Sequence, residues 1–189
     1  MAEISLSATP PLGGVDITIA GTRLRERDEL ALVSAAIPLG GEDAFAAALK
    51  AGWGLAVPGP KMSEVAGKMR AIRSTADQCL LIFPHATPDA AAVVQAKMRD
   101  VAYTTEQTDA WVRLELSGPL TLPALERVCM LDLDARAFPE GAAARTVMEH
   151  MGAILIRTGP EAFLLFSASS SARSFLHAVE TSLRHVSPQ

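Results

Sequence analysis

The sequence predicts an α+β fold of two pseudo-repeated halves, each an antiparallel sheet with helices packed on it. Three observations carry this prediction. Short apolar runs of strand length alternate with segments of helical period. The same order of elements occurs twice along the 189 residues. When IRSTADQCLLIF is laid over IRTGPEAFLLFS, Ile72 meets Ile156, Arg73 meets Arg157, Leu80 meets Leu164 and Leu81 meets Leu165, an offset of 84. At the earlier turn Pro58 meets Pro139 at an offset of 81, which predicts a three-residue insertion in the second pass. The expected division is an N-terminal arm (1–28), a first α+β half (29–108) and a second half (109–189), packed as one compact unit.

Each element follows from its residues. Residues 1–28 are polar and rich in Pro and Gly, apart from VDITIAG, whose alternation suits an edge strand. ELALVSAA (29–36) is a short apolar run of strand character. In EDAFAAALKAG (42–52), Phe45, Ala48 and Leu49 share a helical face, two acids lie in the first turn, and Gly52 is placed to end the helix. GLAVPGP turns the chain. MRAIRST (69–75) and QCLLIFP (78–84) read as a strand pair, and TPDAAAVVQAKM (87–98) as a helix with Thr87 at the N-cap and Pro88 at N1.

The second pass opens with WVRLELSG (111–118), a cleanly alternating strand. A helix is expected from Pro119 or Pro123 to Cys129, followed by the turn AFPEG, which answers AVPGP. AARTVMEHMGAILIRT (143–158) reads as two strands broken at Gly152, and AFLLFSA (162–168) answers QCLLIFP. The last helix places Ala172, Phe175, Leu176, Val179, Leu183 and Val186 on one face, with Arg173, His177, Glu180 and Arg184 opposite.

Composition narrows the functional classes. The net charge is −4, and no run of Lys or Arg is long enough to follow a phosphate backbone, which argues against nucleic acid. No stretch of about 18 apolar residues suits a membrane span. The N-terminus has no basic start followed by an apolar run, so a cytoplasmic chain is expected. Mean hydropathy of +0.23 with 20% charged residues is high, and predicts apolar surface covered by a partner.

The search for chemistry is empty: no catalytic, cofactor-binding or metal-ligating residue is assigned. His85, His150, His177 and His185 lack ligand spacing with cysteines or acids. PLGG and VPGPK lack the spacing of phosphate-binding loops and read as turns. SASSSARS reads as the cap of the last helix rather than an anion site. RVCMLDLDARAFPEGAAARTVM (127–148) sets Cys129 beside Asp132 and Asp134. A nucleophilic thiol needs a cation or base, whereas nearby carboxylates would raise its pKa. Cys129 shares a face with Leu122 and Leu125, so it is expected in the core, with the aspartates turning the chain.

Several of these stretches together resemble the gamma subunit of heterotetrameric sarcosine oxidase. The likeness rests on the run from LERVCMLDLDARAFPEGAAARTVM to SFLHAVETSL, with PLGGVDITIAGTRLRERDELALVSAAIPLGG and GLAVPGP upstream, and covers about residues 11–186. The resemblance implies a fold like the folate-binding domain of the glycine-cleavage T-protein. It also implies a complex that demethylates sarcosine to glycine, passes the methyl carbon to tetrahydrofolate and makes hydrogen peroxide. The implied partners are alpha, beta and delta subunits, which would carry FAD, FMN, NAD and zinc; the gamma subunit itself binds no cofactor. Three alternatives stay open. One is a related complex acting on another N-methyl amino acid. A second is a stand-alone folate-binding module, for which Asp132 or Glu149 with Arg145 could be enlisted. The third is a stand-alone regulatory module of two α+β halves that binds a small molecule between them.

Overall fold

A computed structural model describes residues 9–188. The first half comprises β3 (Leu30–Ala36), α1 (Glu42–Trp53), β4 (Ser63–Ala66), β5 (Met69–Thr75), β6 (Gln78–Pro84), α2 (Ala90–Met98) and β7 (Tyr103–Glu106). The second comprises β8 (Trp111–Ser117), α3 (Thr121–Glu126), β9 (Ala143–Met148), β10 (Met151–Gly159), β11 (Ala162–Ala168) and α4 (Ala172–Val186). Ahead of both lie β1 (Asp16–Ile19) and β2 (Thr22–Glu26). Every pairing is antiparallel, and the two sheets run β4-β5-β6-β3-β7 and β9-β10-β11-β8-β2-β1. Read in that direction the orders match strand for strand, with β2 taking the place of β7. The chain is two α+β halves on one plan.

Period-2 alternation explains how the halves stack. In β3, Ala31, Val33 and Ala35 face α1 and α2, while Leu30 and Leu32 face the other sheet. In β10, Ala153 and Leu155 face the helices of the second half, while Ile154 and Ile156 meet Leu30, Leu32, Ile72 and Ile82 between the sheets. Because both faces of these strands are buried, they read as continuous apolar runs. The result is four layers: helices, sheet, sheet, helices. Ser182 Oγ donates to the Ala124 carbonyl at 2.7 Å, tying α4 to α3 in the outer layer.

The repeat persists in detail. β5–β6 bulges between Arg73 and Thr75, and β10–β11 bulges between Arg157 and Gly159, the same place at the offset of 84. Arg73 donates to the carbonyl of Ala76, and Arg157 to that of Pro160, again equivalent positions. The expected three-residue insertion is four residues instead. Ser63 faces Ile72 across the first hairpin and Ala143 faces Ile156 across the second, so the β9–β10 hairpin is longer by two residues per strand. Register thus pairs Ser63 with Ala143, and the isolated bridge Met62–Ala142 joins equivalent residues of the two halves. The pseudo-two-fold passes through that bridge.

Other differences from the sequence reading have local causes. Residues 16–26, read as part of an arm, form a hairpin whose β1 is the expected edge strand. Its β2 lies on β8, so this segment completes the second half, not the first; residues 1–8 lie outside the described ones. α1 ends at Gly54, in the left-handed region at φ 76°, not at Gly52. Gly52 instead lets α2 approach, its carbonyl accepting Lys97 Nζ at 2.7 Å. α2 starts at Ala90 rather than after Thr87, whose hydroxyl donates to the Asp89 carboxylate. Glu106, from β7, caps α2 by accepting the Ala91 N–H at 2.9 Å. α3 ends at Glu126, short of Cys129, with Pro123 in its first turn where no N–H is required. The β9–β10 break is Glu149–His150, at φ 45° and 71°, and Gly152 lies inside β10.

Candidate functional site

A pocket of about 470 Å³ opens where the two halves meet. The turn before β4 gives it Lys61 and Met62, β5 gives Ile72 and Arg73, and β9 gives Arg145. The segment between α3 and β9 closes it with Asp132 and Phe138. Its floor is apolar, since Ile72, Phe138 and Ile154 are buried. Its rim is cationic, with Lys61, Arg73 and Arg145 set against one carboxylate, Asp132.

The segment 129–141 answers what the Cys129 stretch does: it is a structural joint. Cys129 belongs to the core of the second half beside Leu125, Leu133 and Phe138. Asp132 Oδ1 accepts the Asp134 N–H at 3.0 Å and Asp134 Oδ1 accepts the Arg136 N–H at 2.9 Å, two successive Asx turns. Beneath them the buried guanidinium of Arg157 donates to the carbonyls of Leu133 and Phe138 at 3.0 and 2.9 Å, and to those of Gly159 and Pro160 at 3.2 and 2.6 Å. It also lies 5.4 Å from the Phe163 ring centroid. The sequence reading missed this role; the alignment of Arg73 with Arg157 was its one visible sign.

Both thiols are held neutral. Burial pushes Cys79 from 9.0 up to about 11, and burial raises Cys129 as well. Native protein is expected to leave both thiols unmodified by a maleimide at pH 8, and to react at both after unfolding. A fast-reacting thiol in the native state would contradict the core assignment. Above about pH 9 the unfolded Cys79 ionises first, so its contribution to stability is present below that pH and is lost as pH rises toward 11.

The turns on the pseudo-two-fold carry a further asymmetry. Met62 N–H donates to Gly59 O at 3.2 Å, and Ala142 N–H to Pro139 O at 2.9 Å, so the turns 59–62 and 139–142 correspond. The left-handed position is Gly141 (φ 84°) in one and Lys61 (φ 62°) in the other. Replacing Lys61 by glycine relieves the Cβ clash and is expected to raise unfolding free energy by about 1 kcal/mol. Chemical denaturation checks this, and a loss of stability would contradict it.

The remaining candidates are dispersed. Asp132 and Arg145 line the central pocket, but Glu149 does not. Glu149 lines a second, more open pocket of about 460 Å³ beside α4, with Arg127, His177 and His185. His85 pairs with Asp89 at 2.7 Å, on the surface. Among the described residues no group of three or more His, Cys, Asp or Glu could hold a metal ion. Ser171 stands at the N-cap of α4, but its side chain makes no capping hydrogen bond.

No family model and no curated protein matches the sequence. Solved structures do. A chain of heterotetrameric sarcosine oxidase from Corynebacterium sp. U-96 superposes with a TM-score of 0.78 at 20% identity, covering 92% of this chain and 89% of that one. The glycine cleavage system aminomethyltransferase T from Bartonella henselae superposes with a TM-score of 0.59 at 13% identity. That match covers 86% of this chain but only 46% of the aminomethyltransferase, so the present chain spans about half of its length. The chain therefore has the fold shared by this sarcosine oxidase chain and by part of the aminomethyltransferase.

Proposed function

We propose that this chain is the gamma-type, non-catalytic subunit of a heterotetrameric sarcosine oxidase. The complex would demethylate sarcosine to glycine oxidatively, pass the methyl carbon to tetrahydrofolate and produce hydrogen peroxide in the cytoplasm. The observation that carries this reading is the match to a chain of such an oxidase over about nine-tenths of both chains. The T-protein likeness, by contrast, uses under half of its counterpart. The residues agree with a scaffold. Both cysteines are buried, His85 pairs with Asp89 on the surface, and His177 and His185 share the pocket beside α4 with no cysteine. The PLGG glycines serve a turn in which Gly41 N–H donates to Pro38 O at 2.8 Å. On this reading FAD, FMN, NAD and zinc would be carried by alpha, beta and delta partners. Leu39, Tyr103 and Met130 are exposed apolar side chains available to such partners. No helix among the described residues is long and apolar enough to cross a membrane.

Co-expression tests the role. Leaving this chain out of a co-expressed oxidase should lower the yield of assembled complex, while kcat per assembled flavin centre stays unchanged. A complex that assembles fully without it but loses turnover would overturn the scaffold reading.

A further inference from the structure

We propose that the pocket on the pseudo-two-fold binds a compact organic anion, an aromatic or branched aliphatic carboxylate held between the two halves. Its volume of about 470 Å³ lies within the range of small-molecule sites. The buried floor of Ile72, Phe138 and Ile154 offers an apolar surface to the body of such a molecule. The charge is set for its head. Lys61, Arg73 and Arg145 make no ion pair among the described residues, and only Asp132 opposes them, in a chain whose net charge is −4.

Two of these cations are held in place by neighbours rather than by carboxylates. Arg73 Nε donates to Ala76 O at 3.1 Å, and the Arg145 guanidinium lies 5.9 Å from the Trp111 ring centroid. Neither contact is with a carboxylate. The third, Lys61, occupies the left-handed position that its counterpart fills with Gly141. A lysine retained there at a cost to the fold is the kind of local strain that accompanies binding sites. Because Lys61 and Arg73 come from the first half and Arg145 from the second, one carboxylate bridges the repeats. This goes beyond the scaffold role: it concerns the chain alone and stands or falls without any partner subunit.

The test is NMR titration of the ¹⁵N-labelled full chain with 2-naphthoate and, separately, with neutral 2-naphthamide. The proposal expects saturable naphthoate shifts at the amides of Lys61, Arg73, Ser74, Ala144 and Arg145. It expects naphthamide to bind about ten-fold more weakly or worse, the effect of losing one charge-assisted contact. Arg145→Gln should weaken naphthoate several-fold. Lys61→Gly should weaken it too while raising the melting temperature, a combination that a purely structural lysine would not show. The proposal is overturned by shifts that never saturate or that map elsewhere, by equal binding of acid and amide, or by naphthoate affinity unchanged in Lys61→Gly.

Discussion

Gly118→Ala is expected to destabilise the protein by about 4 kcal/mol, among the largest effects of any single methyl group. Gly118 links β8 to α3 at φ +128°, a conformation that L residues rarely adopt. A Cβ there would lie 2.7 Å from the carbonyl oxygen of Gly21 and 2.8 Å from Cα of Thr22. Both are backbone atoms, so no side chain can swing aside to make room. What must move is the β1–β2 hairpin, whose Thr22 is fully buried and accepts the Leu120 N–H at 2.8 Å through its hydroxyl. Since β2 supplies the strand that the second half lacks, its displacement opens the core around Leu24 and Leu116. Guanidinium unfolding measures the loss, and hydrogen exchange over residues 16–26 locates it. A change below about 1 kcal/mol would mean that the hairpin is not docked as described.

The second large effect is expected at Arg157. The residue is 4% exposed, and its guanidinium satisfies four backbone carbonyls without a carboxylate partner among the described residues. Arg157→Met keeps much of the volume but strips those carbonyls of their donors. The cost is expected at about 3–5 kcal/mol, as for other buried charged networks cut on one side. Arg157→Lys should not restore stability, because a single ammonium lacks the planar fork that reaches Leu133 O, Phe138 O and Pro160 O together. The comparison is internal. Arg73, the counterpart in the first half, makes the equivalent bond to Ala76 near solvent, and Arg73→Met should cost under about 1 kcal/mol. Similar losses at both positions would remove the basis for treating Arg157 as the anchor of the 129–141 segment.

These two residues also mark where sequence reasoning stopped. β3, β6, β10 and β11 were readable because each holds an apolar run, β8 because it alternates, and α4 because Phe175, Val179 and Leu183 recur at helical spacing; β4 and β7, only four residues each, were not read. The duplication showed in the overlay of Ile72, Arg73 and Leu80 on Ile156, Arg157 and Leu164, which the register bears out. What could not be read depends on partners distant in the chain. β2 escaped notice as a strand because its buried positions are Thr22, Leu24 and Glu26, only one of them apolar, while on its open face Arg25 Nε meets Glu115 Oε1 at 3.1 Å across to β8. The start of α2 escaped because its cap, Glu106, lies 15 residues beyond the N–H it receives. Of the pocket, Asp132 and Arg145 were singled out by residue type alone. Lys61 and Arg73 were not, because only the packing of one half on the other brings them to the same rim.

The measurement that bears most directly on the scaffold reading is affinity capture of the tagged full chain from its native cells. Captured proteins would be identified by mass spectrometry, with a visible absorption spectrum and a peroxide assay on the eluate. The account predicts a yellow complex with one large and one middle-sized flavin-bearing subunit, and peroxide production that depends on sarcosine. A colourless chain recovered alone, or a flavin complex that makes no peroxide from sarcosine, would contradict it.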